Sequence, residues 1–93
     1  MTTTIGNQLD ILTEYKEHQV VVNTYDIDGA LCDRDGFYFE ELRVFPSQLA
    51  FVRKDQSIFT IELDGSYIFY KSEDFQHHYI LQFSNQRTEL YFP

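Results

Sequence analysis

The sequence predicts a mainly β domain, an antiparallel meander forming a small barrel or half-barrel, with one N-terminal α-helix. From residue 18 onward, hydrophobic and polar side chains alternate with a period of two, which is typical of half-buried strands. Short clusters of turn residues interrupt the alternation, and connections this short join antiparallel neighbours. The 93 residues, 43% of them hydrophobic, are enough for one core and one domain over residues 1–93.

The first 17 residues follow helical rather than strand spacing. Apolar residues recur there at intervals of three and four, and Asn7 is a suitable N-cap with Asp10 three residues later. We therefore predict an amphipathic α-helix within residues 1–17 that covers a sheet face or closes one end of a barrel. Its apolar face consists of Ile5, Leu9, Leu12 and Tyr15.

The β meander is predicted to occupy residues 18–93. The alternation breaks at Glu40-Glu41, between two runs of inward-facing residues, as it would at a β-bulge. Ordinary turn residues separate the other runs. We predict seven strands, at residues 18–27, 36–45, 48–54, 57–63, 66–72, 77–84 and 87–92.

Asp64-Gly65 is predicted to close a tight hairpin over residues 57–71. This dipeptide favours the positive φ angles of a type I′ turn, and the turn would fix the register of the two flanking strands. One face of that hairpin would be fully apolar and the other would be mixed. A mixed face that still carries large apolar side chains indicates a second covering layer or a partner. The apolar face would hold Phe59, Ile61, Leu63, Ile68 and Tyr70, and the mixed face Ile58, Thr60, Glu62, Tyr67, Phe69 and Lys71.

The composition narrows the functional class. The net charge is −8, and the seven Lys and Arg residues are scattered, so we predict no nucleic-acid binding. The sequence contains no 18-residue apolar run and no signal-peptide core. We therefore predict that the protein neither spans a membrane nor is secreted by way of a signal peptide. Cys32 is the only cysteine, so there is no intrachain disulfide and no cysteine-based zinc site, as expected in the reducing cytoplasm.

Acidic residues are concentrated between residues 26 and 41, where only Arg34 carries a positive charge. One interpretation is a solvated segment that aids solubility. The other is a docking surface for a basic protein partner, since such a surface steers association. The acidic residues are Asp26, Asp28, Asp33, Asp35, Glu40 and Glu41.

The stretch 20–33, VVVNTYDIDGALCD, resembles the first motif of the haloacid-dehalogenase-like phosphatases. The resemblance implies that Asp26 is a nucleophile, that Asp28 is an acid/base, and that a magnesium ion binds beside them. It also implies a parallel sheet flanked by helices. The continuous β pattern after Asp33 contains no βαβ unit and favours a strand followed by a turn, so we predict no catalytic residue, cofactor or metal site.

A helix followed by a small barrel is also similar to the Sm-like RNA-binding rings. Gly29, Leu31 and Asp35 fall at the spacing of that family's first motif. Tyr38 and Phe39 occupy the positions of its base-stacking residue and RNA-binding asparagine, and the sequence lacks the second motif's arginine-glycine pair. The resemblance supports a small-barrel shape but no RNA binding.

The adjacent residues His77 and His78 would point to opposite faces of a strand, so they would not chelate one metal together. We expect His77 to share the core side with Tyr79, Leu81 and Phe83, and His78 to lie on the other side.

We predict a small acidic cytosolic protein-interaction or accessory module without catalytic activity that self-associates as a homo-oligomer. Two alternatives remain open: an acidic inhibitor that mimics DNA phosphates, and an Asp-dependent phosphohydrolase. The residues expected at the interaction surface are Ile58, Tyr67, Phe69, Asp26, Asp28, Asp33, Asp35, Glu40 and Glu41.

Overall fold

The computed structural model describes residues 9–63 and 65–93, which form one seven-stranded antiparallel sheet and a short helix. The mainly β class and the seven predicted strands are confirmed. Within the described residues, no helix has the length and apolar character needed to cross a membrane. The elements are a 3₁₀ helix at Asp10–Tyr15, β1 at His18–Asp26, β2 at Leu31–Phe45, β3 at Gln48–Arg53, β4 at Ile58–Glu62, β5 at Ile68–Lys71, β6 at His78–Gln82 and β7 at Gln86–Tyr91.

Within the described residues, the predicted N-terminal α-helix is replaced over Asp10–Tyr15 by a 3₁₀ helix. The three-residue spacing of Leu9, Leu12 and Tyr15 explains the difference, because residues three apart lie directly above one another at three residues per turn. Leu9 and Leu12 are fully buried, and Tyr15 packs against the core. The predicted cap Asn7 and the apolar residue Ile5 lie outside the described residues.

The strand order across the sheet is β4-β3-β2-β1-β7-β6-β5. The first four strands form one meander and the last three form another, and antiparallel pairing of β1 with β7 joins them. This pairing places the first and last strands in the middle of the sheet. It leaves β4 and β5, which are consecutive along the chain, at the two opposite edges.

The predicted hairpin across Asp64-Gly65 is therefore wrong. β4 pairs with β3, whereas β5 pairs with β6. Six antiparallel steps lead across the sheet from β4 to β5, and each step reverses the strand direction. Because six is an even number, the two edge strands run in the same direction. An antiparallel hairpin between them is incompatible with the β1–β7 pairing.

The connection from β4 to β5 requires a curled sheet. The six steps from Glu62 to Ile68 span about 20 Å at full extension. Edges of a flat seven-stranded sheet would lie about 29 Å apart, because neighbouring strands are spaced at about 4.8 Å. The sheet is nevertheless not closed, because β4 and β5 do not pair. The predicted barrel is thus replaced by an open sheet whose two edges are joined by this short connection.

Aromatic side chains from both meanders fill the inner side of the sheet. Phe39, Phe51 and Phe92 are almost completely buried. The Phe39 ring meets the Phe51 ring edge-on at a centroid distance of 5.1 Å and lies 6.1 Å from the Phe92 ring. These contacts join β2, β3 and the end of β7, so the two meanders share one core.

The predicted β-bulge is confirmed in β2, where the pairing with β3 shifts register between Phe39 and Glu41. Before the bulge the odd-numbered Phe39 faces the core, and after it the even-numbered Leu42 does so. An inserted residue reverses the alternation in this way. Glu40 thus permits one strand to keep both apolar runs on the inner face.

Candidate interaction surface

Among the described residues, the edge strands β4 and β5 and the part of β2 that extends beyond β3 have backbone groups without a strand partner on one side. Among the described residues, no strand lies beside the outer side of β4 or of β5. An unpaired edge presents N–H and C=O groups that can pair with another chain, and natural proteins normally protect such edges. The chemical nature of each edge therefore decides what it can bind.

The β5 edge is apolar. Ile68 is 61% exposed and Tyr70 is 45% exposed, and both lie on the outer face of the sheet. Half-buried Ile80 of β6 lies directly beside Tyr70 and extends the apolar area by one strand. Lys71 is the one charged residue within β5. Apolar residues at the end of a sheet without a covering layer are typical of protein contacts.

The β4 edge is more polar. Its outward-facing residues are Ile58, Thr60 and Glu62, all exposed. Ile58 resembles Ile68 in exposure, at 54%, but the carboxylate of Glu62 lies at the other end of the same short strand. A charged group on an edge strand hinders pairing with a second chain. Glu62 shares the outer face of β4 with Ile58, whereas Lys71 of β5 lies on the face opposite Ile68 and Tyr70.

Two predicted interaction residues belong to the core instead. Tyr67 is 9% exposed and packs near Phe83, with ring centroids 6.2 Å apart, and burial raises the pKa of its phenol. Phe69 is partly buried and stacks on Tyr79 at 5.7 Å. Because β5 pairs with β6 rather than β4, its inward and outward positions are the reverse of those predicted. Ile68 and Tyr70 take the exposed positions.

The predicted acidic residues do not share one face. Residues 31–37 of β2 extend beyond β3 and pair only with β1, and Asp33 and Asp35 lie there opposite Thr24 and Val22. Glu40 lies at the bulge. Glu41 is on the outer face, where its carboxylate accepts a hydrogen bond from exposed Arg43 at 3.1 Å. The predicted acidic residues are therefore distributed over the β1–β2 turn, the extension of β2, the bulge and the outer face.

Asp26 has a structural role in the turn between β1 and β2. Its Oδ1 accepts hydrogen bonds from the backbone N–H groups of Asp28 and Ala30, both at 2.9 Å. Gly29 adopts a φ of 86°, a left-handed conformation that glycine accepts readily. The phosphatase-like sequence is therefore an Asp/Gly turn in which the presumed nucleophile is engaged with the backbone, while Asp28 is exposed.

A polar cluster lies on the outer face across β1, β6 and β7. Glu89 accepts a hydrogen bond from His78 Nε2 at 2.8 Å, and its other oxygen lies 2.8 Å from Arg87 Nε without hydrogen-bond alignment. The Arg87 guanidinium also lies 4.6 Å from the centre of the Tyr25 ring, within cation–π range. This half-buried network ties β6 to β7 and to β1.

His78 lies on the outer face of β6, as predicted, and is the more buried of the two adjacent histidines. His77 lies just before β6 with a positive φ of 57°, and although its ring meets the Tyr15 ring edge-on at 5.4 Å, it is exposed rather than part of the core. Tyr79 and Leu81 face the core as predicted. Within the described residues, no three His, Cys, Asp or Glu side chains are grouped to hold a metal ion.

The comparisons with known proteins add no family assignment. No protein-family model matches the chain, and neither a curated protein nor a solved structure matches it. Inferences about function therefore depend on the chain itself.

Proposed function

We propose that this chain is a non-catalytic protein-interaction module that self-associates through an open edge of its sheet. The observation that carries the proposal is the pair of edge strands whose outer sides no other described strand pairs with, one of which exposes Ile68 and Tyr70. Strand addition at such an edge supplies backbone hydrogen bonds for affinity and side-chain contacts for specificity.

The distribution of polar groups supports a binding role over a hydrolytic one. The carboxylate of Asp26 is held by two turn amides, and the half-buried Glu89 is held by His78 and lies next to Arg87. These contacts give both carboxylates a structural role, which favours binding over hydrolysis as the function of the chain. The exposed thiol of Cys32 agrees with a reducing compartment such as the cytoplasm.

The experiment is a measurement of mass in solution by light scattering on a sizing column, over a range of concentrations and at low and high salt. We expect an assembly whose mass is a multiple of the 11.1 kDa chain. Chains of net charge −8 repel one another, so added salt should strengthen an assembly held by backbone and apolar contacts. A monomer at every concentration and salt level would refute the proposal.

A further inference from the structure

We infer that two copies of the chain pair antiparallel through β5, about a two-fold axis at Phe69. This inference rests on the self-association proposed above and names its partner, edge and register. A two-fold contact is the commonest arrangement for a homodimer, and it requires a surface complementary to itself. The β5 edge meets this requirement in its backbone and in its side chains.

The ladder between β5 and β6 shows which backbone groups are free. Ser72 N–H donates to His78 C=O at 2.8 Å, so these two residues form a hydrogen-bonded pair. Hydrogen-bonded and non-hydrogen-bonded pairs alternate in an antiparallel ladder, so Tyr70 and Ile68 also bond towards β6. The N–H and C=O groups of Phe69 and Lys71, and of Tyr67 if the strand is extended by one residue, therefore point to the open edge.

One register uses all three of these residues. If Phe69 of one chain pairs with Phe69 of the other, Lys71 of each chain lies opposite Tyr67 of its partner. Each hydrogen-bonded pair exchanges two bonds, so this register forms up to about six across the axis. If one strand is shifted by two residues in either direction, Tyr67 or Lys71 no longer faces a residue of the partner's extended strand. The register centred on Phe69 therefore forms the largest number of backbone hydrogen bonds.

The side chains match in the same register. Ile68 of one copy lies opposite Tyr70 of the other on the outer face, twice in the dimer. These are non-hydrogen-bonded pairs, in which facing side chains come closest, and aromatic residues pack well against β-branched ones. The exposed area that the single chain leaves at Ile68 and Tyr70 is then covered by the partner copy.

The β4 edge does not match itself in this way. Leu63 N–H donates to Ser47 C=O and Arg53 N–H donates to Ser57 C=O, so the even-numbered residues of β4 direct their backbone outward. A two-fold pairing about Thr60 would place Ile58 against Glu62, an apolar side chain against a carboxylate. We therefore assign the dimer contact to β5 and use β4 as the matched control.

The first test is a pair of charge substitutions followed by light scattering. Ile68→Lys places two lysines at the interface, where two isoleucines should be buried, and should weaken the dimer at least about tenfold. Ile58→Lys changes an equally exposed edge isoleucine on β4 and should leave the mass unchanged. Circular dichroism confirms that both variants remain folded.

The second test reads the register directly in a Cys32→Ser background, which removes the native thiol. Ile68→Cys and Tyr70→Cys are made in separate chains, mixed, and oxidised with glutathione disulfide. The mixture should give a disulfide-linked dimer, because the facing Cβ atoms lie about 4.5–5.5 Å apart in such pairs. Neither variant alone should cross-link to the same extent, and Ile58→Cys mixed with Tyr70→Cys should not.

The outcomes separate the two proposals. A dimer that is lost with Ile68→Lys, retained with Ile58→Lys and cross-linked in the mixture supports the β5 contact. A wild-type dimer that survives Ile68→Lys, or that gives no cross-link in the mixture, overturns the β5 inference and leaves self-association standing. A wild-type monomer under all conditions overturns both.

Discussion

Tyr15 lies flat against Phe92, with ring centroids 4.2 Å apart and ring planes that differ by 9°. This stack joins the end of the 3₁₀ helix to the residue after β7. Tyr15 Oη also lies 2.8 Å from Tyr79 Oη on β6. One side chain therefore contacts both β6 and the residue that follows β7. The short helix is therefore held by side-chain packing rather than by its own length.

Replacing Tyr15 with alanine should lower the free energy of unfolding by about 2–4 kcal/mol, because a stacked and partly buried aromatic ring is removed. Tyr15→Phe keeps the stack and removes the hydroxyl contact with Tyr79, and it should cost only about 1 kcal/mol. Urea denaturation of the two variants measures the difference. Equal losses would show that the hydroxyl contact, not the stack, holds the helix.

Tyr79 should make the fold sensitive to alkaline conditions. Burial, followed by the hydrogen bond with Tyr15, raises the pKa of its phenol above the ordinary value. A raised folded-state pKa contributes stability that is complete below the unfolded pKa of about 10 and is lost as pH rises above it.

Urea denaturation at pH values from about 8 to 11 should therefore show a free energy of unfolding that falls as the pH rises. This fall should be less steep in Tyr79→Phe than in the wild type. The matched control is Tyr38→Phe, since Tyr38 is 43% exposed, and its profile should follow the wild type. Identical profiles for all three proteins would contradict the prediction.

Two carboxylate contacts of similar geometry should differ in their effect on stability. Glu89 and His78 are half-buried, with side chains 16% and 14% exposed, and removing Glu89 leaves both His78 and Arg87 without their carboxylate. Glu89→Ala should cost about 1–3 kcal/mol. Glu41→Ala breaks a pair with Arg43 that is about half exposed on both sides, and it should cost less than about 1 kcal/mol. Thermal and urea denaturation test this contrast.

Asp26 should matter for folding and not for phosphate chemistry. Asp26→Ala removes the acceptor of two turn amides and should cost about 1–2 kcal/mol. Asp28→Ala, which changes the exposed neighbour, should cost under about 0.5 kcal/mol. Neither variant should alter phosphate release from p-nitrophenyl phosphate with magnesium, which should stay at the level of buffer. Turnover by the wild type that Asp26→Asn abolishes would revive the phosphohydrolase alternative.

The local pattern predicted the strands and not their partners. Alternation marks Tyr79 and Leu81 as inward residues whatever lies beside them, and these positions are confirmed. The bulge at Glu40 could also be read locally, because two apolar runs of opposite parity surround it. Strand order depends on contacts distant in sequence, such as Val22 with Leu90, and a single sequence carries little trace of them.

The candidate surface was predicted only in part for the same reason. Ile58 is exposed as expected, but the hairpin assumed at Asp64-Gly65 reversed the two faces of β5 and so exchanged Tyr67 and Phe69 for Ile68 and Tyr70. A turn preference of two residues was outweighed by the pairing of six residues of β1 with the whole of β7. The polar cluster around Glu89 could not be predicted, since only Arg87 and Glu89 are close in sequence, while His78 and Tyr25 lie on two other strands.

The central position of β1 has a consequence for how the chain acquires its structure. During synthesis β1 emerges first and can pair with β2, but its other neighbour, β7, emerges last, so the middle of the sheet is completed only at the end. Such distant pairing slows folding. A circular permutant that begins at β5 and ends at β4 would place every strand next to its neighbour in sequence. It should fold faster than the natural chain while keeping the same sheet.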